Sequence, residues 1–210
     1  MALIEELREA VVNGQAKLSV AKVTEGLEGG IEAGTLLREG LIAGMAQVGQ
    51  LYEEGEIFVP EMLVAARAMT AALTVLKPHL VEEGVASSGK VAIGTTQGDL
   101  HDIGKNLVAM MLEGSGYEIV DLGMDVPADK FIEAIEQGAD VVAMSALLTT
   151  TMTNMQVAIE AIKAAGLRDR VRIVVGGAPI TKSYAEEIGA DGYAEDASSA
   201  VRLVKEVLAA

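Results

Sequence analysis

The chain has no cysteine among its 210 residues, which excludes disulfides, thiolate zinc sites, iron–sulfur clusters and cysteine nucleophiles. It has no tryptophan either, and aromatic residues make up only 3%, so Ala, Val, Ile, Leu and Met must do the packing. Lys and Arg are scarce, 16 against 31 Asp and Glu, for a net charge of −15. A nucleic-acid binder displaces counterions with clustered basic side chains, and no such cluster exists. The same deficit argues against an anionic membrane surface. No apolar run approaches the roughly 20 residues that a membrane helix requires. The N-terminus, MALIEELREAV, is acidic and helix-like where a secretory signal would be basic and then apolar. These features read as a soluble cytoplasmic protein with neither nucleic acid nor membrane as partner.

Half of the chain is hydrophobic, enough for a sizeable core, and that half follows two rhythms. Over residues 1–86 the spacing is helical, with stripes at Leu3, Leu7, Ala10 and Val11, at Leu36, Leu37, Leu41, Met45 and Val48, and at Met62, Leu63, Ala66, Met69, Leu73 and Leu76. A four-helix bundle is the economical reading. Glycines within GLEGGIEAG and GLIAG weaken helix propensity and blur the boundary between its second and third helices. From 87 to 210, apolar runs alternate with amphipathic ones. VAIGTT, YEIVDLG, DVVAMSAL, VRIVVGG and DGYA read as strands, with helical stretches such as PADKFIEAIEQG between them. Continuously apolar strands alternating with helices imply a doubly wound, flavodoxin-like (Rossmann-like) parallel sheet of five strands, an α/β domain covered on both faces.

In such sheets ligands sit beyond the strands' C-terminal ends, and GTTQGDLHDIGKN (94–106) falls there, after the first strand. The turn lacks the Walker spacing and a dinucleotide fingerprint, and Asp99 and Asp102 would repel a phosphate. A protein zinc site needs three or four ligands, whereas this chain has two histidines; the other, His79, reads as a surface residue at a helix end. A macrocyclic metal cofactor needs only one protein nitrogen. His101 could supply it, with Asp99 accepting the other ring N–H and setting tautomer and direction. The spacing equally allows Asp99 to be a helix cap and His101 an ordinary first-turn residue.

A family resemblance separates these readings. GDLHDIGKN resembles the D-x-H-x-x-G signature of cobalamin-binding domains, with Asp99, His101 and Gly104 at the defining positions. MSALLTTTM (144–152) resembles the S-x-L strand-end motif, and VVGGAP (174–179) its Gly-Gly loop. LYEEGEIFVPEMLVAARAM (51–69) resembles the helical cap of methyltransferase-associated corrinoid proteins. The resemblance covers nearly the whole chain. It implies cobalamin, as methylcobalamin or a related corrinoid, with His101 as the lower cobalt ligand in place of the cofactor's own base. Asp99 would hold His101, and Thr151 would back Asp99 in a relay. Gly98, Asp102, Ile103 and Gly104 of the same turn would also bind the cofactor. Ser145, Leu147, Thr149, Gly176, Gly177 and Ala178 would line a slot for the displaced nucleotide tail, bordered by Tyr193, Ala194 and Asp196. The glycines there would leave room for a tail passing close to backbone. Val59 and Met62, with Phe58 and Leu63, would shield the upper face.

The function so implied is a methyl carrier, a non-catalytic corrinoid subunit. It would accept a methyl group from a substrate-specific methyltransferase and pass it to a second one acting on a tetrahydrofolate-type or thiol acceptor, with a reductive activase as a further partner. Two alternatives share the signature. A cobalamin-dependent regulator would carry a basic DNA-binding segment, and the small subunit of an adenosylcobalamin mutase would lack the helical region.

Overall fold

The computed structural model describes residues 2–209 and divides into two compact units. The first ends at Ser88 and includes Glu113–Gly116; the second comprises Gly89–Leu112 and the chain from Tyr117 onward. The boundary read from composition, 86/87, lies two residues earlier.

The first unit is helical: α1 (Ala2–Val12), α2 (Ala16–Glu28), α3 (Ala33–Thr35), α4 (Ala43–Glu53) and α5 (Val59–Glu82). A π-helical stretch, Leu36–Ile42, joins α3 to α4 without leaving helical dihedrals, so four rods form the bundle. The third rod runs straight through GLIAG because α1 packs closely there. A Cβ at Gly40 would meet Leu7 Cδ2 at 2.6 Å, and one at Gly44 would meet Val11 at 3.1 Å. Leu7, Val11, Val23, Leu36, Leu41, Met45, Met69 and Leu76 are sealed in the core. One expectation needs correcting. The 24-residue α5 is long and apolar enough to cross a bilayer, with mean hydropathy 1.4 over its most apolar stretch. Nine of its residues are nevertheless buried, packed against α1, α2 and α4, as befits a core helix.

The second unit holds β1 (Lys90–Thr96), α6 (Ile103–Gly114), β2 (Glu118–Val126), α7 (Ala128–Glu136), β3 (Val141–Ser145), α8 (Thr153–Ala164), β4 (Arg172–Gly176), α9 (Lys182–Ile188), β5 (Gly192–Ala194) and α10 (Ala197–Ala209). The five strands are all parallel, in the order β2-β1-β3-β4-β5, the flavodoxin-like order. Alternate residues feed two cores. Ala92, Val142 and Ile173 face Phe131, Met155 and Ile159, while Val91, Ile93, Val141 and Val174 face Leu112 and Val204. The strands are added to one side of β1 and then, from β3 onward, to the other, and this switch opens a crevice at the C-terminal ends of β1 and β3, where the turn after β1 and the loop after β3 meet.

Candidate cofactor site

Asp99 organises this crevice. Its carboxylate, 1% exposed, accepts from Thr151 Oγ1 at 2.6 Å and Leu147 N–H at 2.8 Å on Oδ2. On Oδ1 it meets His101 Nδ1 at 2.7 Å and His101 N–H at 3.1 Å. Burial pushes its pKa up, but the hydrogen bonds from Thr151, Leu147 and the ring and backbone of His101 outweigh burial and hold it well below the usual carboxylate range. An ionised carboxylate only accepts, so Nδ1 carries the proton and Nε2 is the nitrogen left with a lone pair. The imidazole is about half exposed, at 51%.

The backbone of the turn is held separately. Thr95 Oγ1 donates to the His101 carbonyl at 2.8 Å, Asn154 Nδ2 to the Gln97 carbonyl at 2.7 Å, and Gly98 N–H to Asp125 Oδ1 at 2.6 Å. Asp102 accepts from Asn106 Nδ2 at 3.0 Å, a first-turn bond within α6.

Sheet register brings other predicted residues into a row along the C-terminal edge. Thr95 pairs with Ser145, Ser145 with Gly176, and Gly176 with Ala194; Tyr193 stands one step back, opposite Val175. Leu147 and Thr149 follow on the exposed loop after β3, and Gly177 and Ala178 on the loop after β4. The protein's own backbone explains the two glycines. A Cβ on Gly176 would lie 2.9 Å from Ala194 O, and one on Gly177 1.9 Å from Ala146 O. Asp196 caps α10, accepting from Ser199 N–H at 2.7 Å. In the helical unit Phe58 and Val59 are exposed, whereas Met62 is fully buried. Met62, expected at the upper face of the cofactor, thus shows no exposed surface of its own.

Three features fit a corrinoid. Among the described residues no three His, Asp or Glu side chains are grouped to hold a metal ion, so His101 suits a metal that brings its other ligands with it. Leu100, Ile103, Met124, Leu147 and Leu148 leave large apolar side chains exposed around the turn, ready for a broad, partly apolar cofactor. Gly104 is the third feature. It sits in the first turn of α6, where glycine weakens a helix, yet a Cβ there would meet nothing within 4 Å. The protein itself does not need that bare backbone; a ligand lying against it would. Lys105, Asp121, Asp125 and Asn154 were not legible around this turn, because each is joined to it or to its neighbours by a hydrogen bond to a residue distant in sequence, which leaves no spacing pattern.

Comparison with known proteins agrees with this geometry. Family models described as B12 binding domain match residues 89–202 and residues 3–77. The chain is 45% identical to the dimethylamine corrinoid protein of Methanosarcina barkeri, over 99% of this chain and 98% of the relative. It is 43% identical to the trimethylamine corrinoid protein of the same organism, over 98% and 96%. It also superposes on a chain of the methanol:cobalamin methyltransferase complex of that organism with a TM-score of 0.88 at 29% identity, covering 99% of this chain and 80% of that one. Matches across both halves, on top of the Asp99–His101 crevice, place the chain in the family of methyltransferase-associated, B12-binding corrinoid proteins, with cobalamin as its cofactor.

Proposed function

We propose that this protein is a methyl carrier, receiving a methyl group from a substrate:corrinoid methyltransferase and delivering it to a second methyltransferase whose acceptor is a tetrahydrofolate-type compound or a thiol. A reductive activase would be a third partner, and the chain itself would not be catalytic. The names of its relatives support methylamine or methanol as the class of donor. One observation carries the reading: a buried carboxylate shared between Thr151 and His101 Nδ1, which leaves a single half-exposed imidazole nitrogen.

Bound cobalamin supplies a cobalt able to hold and release a methyl group; the protein supplies orientation and electronic tuning. His101 Nε2 would hold the cobalt in place of the cofactor's own base. Asp99, kept ionised, would fix the tautomer and direction of the ring by accepting from Nδ1. Thr151 keeps the negative charge on Asp99 by donating to it. Ser145, Leu147, Thr149 and the edge from Gly176 to Ala178 would take the displaced nucleotide tail, with Tyr193 and Ala194 beyond them. Asp196, occupied as a helix cap, would contribute mainly by shaping the end of β5. Of the helical residues expected near the cofactor, the exposed Phe58 and Val59 and the half-buried Leu63 have surface to offer it.

The test loads the purified protein with cobalamin and supplies methyl-labelled dimethylamine, trimethylamine or methanol with the corresponding methyltransferase. Label should co-elute with the loaded protein for at least one donor, and should be lost in His101→Ala. Cobalamin binding without label from any of the three would contradict the carrier reading.

A further inference from the structure

We infer that Asp125 is a positioning residue for His101, and that the ion pair between the buried Lys105 ammonium and Asp121 holds Asp125 in place; the inference rests on His101 being the cobalt ligand. It starts from an irregularity in β2. Ile93 pairs with Asp121, Gly94 with Gly123, and Thr96 with Val126, so three steps along β1 correspond to five along β2. The extra residues bulge out of the ladder, and bulges re-aim side chains at sheet ends.

The start of the bulge is pinned. Asp121 Oδ1 accepts from Lys105 Nζ at 2.6 Å and from Gly123 N–H at 2.9 Å. The Lys105 side chain is 1% exposed, while that of Asp121 is half exposed. A buried ammonium needs its partner, so α6 and the bulge are tied at this point, four residues after His101.

The far end of the bulge reaches the histidine turn. Asp125 has φ of 54°, a left-handed conformation uncommon for a residue with a Cβ. It is exposed, so burial does not account for that conformation. Two reciprocal hydrogen bonds do: its N–H donates to the Asp99 carbonyl at 3.0 Å, and its Oδ1 accepts from Gly98 N–H at 2.6 Å. Asp125 thus clamps the two residues through which Asp99 is placed. The Asp99 carboxylate in turn aims the imidazole. A ring that is half exposed has little packing of its own to hold it, so its direction depends on that backbone.

The experiment compares Asp125→Gly, which accepts the left-handed backbone but has no carboxylate, with Asp125→Asn, which tolerates that backbone and keeps an acceptor oxygen. Amide hydrogen exchange at Gly98 is read by NMR in the cofactor-free full chain. The histidine-ligated fraction is read separately, from 15N-histidine hyperfine splitting in the Co(II) EPR spectrum after cobalamin is added. Asp125→Gly should speed Gly98 exchange about ten-fold or more, the size of one hydrogen bond to a charged acceptor, and should lower the ligated fraction. Asp125→Asn, which keeps an acceptor oxygen without the charge, should fall between wild type and Asp125→Gly in both readouts. Lys105→Met, whose stem still fills the buried space, should speed Gly98 exchange by a smaller factor. Unchanged Gly98 exchange or an unchanged ligated fraction in Asp125→Gly would overturn the role of Asp125, and an unchanged Lys105→Met would overturn that of the ion pair. Wild-type protein that binds cobalamin with no histidine splitting would overturn the ligand reading instead, while Gly98 exchange, measured without cofactor, would still judge the clamp.

Discussion

A methyl group added at Gly177 would lie 1.9 Å from the carbonyl oxygen of Ala146, on a backbone with φ of 123°. Neither the clash nor the dihedral can relax without moving the loop after β4. Gly177→Ala should therefore destabilise the cofactor-free protein by about 1–3 kcal/mol, the usual cost of overpacking, seen as an earlier denaturant midpoint. Gly104 is the opposite case, since a Cβ there meets no protein atom within 4 Å. Gly104→Ala should leave the cofactor-free protein as stable or more stable, by up to about 1 kcal/mol from helix propensity, while weakening cobalamin binding. Equal affinity for wild type and Gly104→Ala in a titration would contradict the view that the cofactor lies against that turn. In the sequence these glycines looked alike. What separates them is a neighbour more than thirty residues away for one and empty space for the other, and spacing carries neither fact. Asp99, His101 and Thr151 stood out in the sequence only through the family resemblance, because residue types and spacing alone equally allowed a helix cap and an ordinary first-turn histidine. Asp125 did not, because an Asp in a left-handed turn looks in sequence like any other Asp.

At the scale of elements, the strands were the most readable part. β1, β3 and β4 are buried along nearly their whole length, so their apolar runs had no competing interpretation. β2 lies at the edge of the sheet and is only partly buried. Its bulged end, past YEIVDLG, was missed because Gly123 reads as a stop when it is in fact a kink. The third helical rod shows the converse, with glycines that read as breaks but serve close packing. That rod also starts in an unusual way. Glu83, at the end of α5, accepts from Ala33 N–H at 2.7 Å and Gly34 N–H at 3.0 Å, capping a helix fifty residues upstream. Those two backbone hydrogen bonds lower the pKa of Glu83, as an anion at a helix N-terminus should experience. A lowered folded-state value means that the contribution of Glu83 is fully present above the ordinary glutamate pKa and is lost as pH falls through the lower folded value. Glu83→Ala should then unfold earlier than wild type at pH 7, and the two midpoints should converge in acid. A gap that persists at pH 2 would assign the effect to packing.

At the scale of the whole molecule, composition narrowed the possibilities and the motifs decided among them. The absence of cysteine and the presence of only two histidines left few ways to build a zinc-type site, and one histidine beside a buried carboxylate is suited to a cofactor that brings most of its own ligands. The change of rhythm near Ser88 was visible as a switch from helical spacing to alternating strands and helices. Two-unit organisation and the sheet order fit a cobalamin-binding corrinoid protein, and the Asp99–His101–Thr151 arrangement is what the proposed ligation of cobalt by His101 rests on. The most direct test is the EPR spectrum of the Co(II) form of the cobalamin-loaded protein, prepared with natural and with 15N-labelled histidine. The account predicts nitrogen splitting that changes from a 14N to a 15N pattern on labelling and disappears in His101→Ala. A splitting indifferent to the label would mean that cobalamin keeps its own base or has no nitrogen ligand, and would contradict the role assigned to His101.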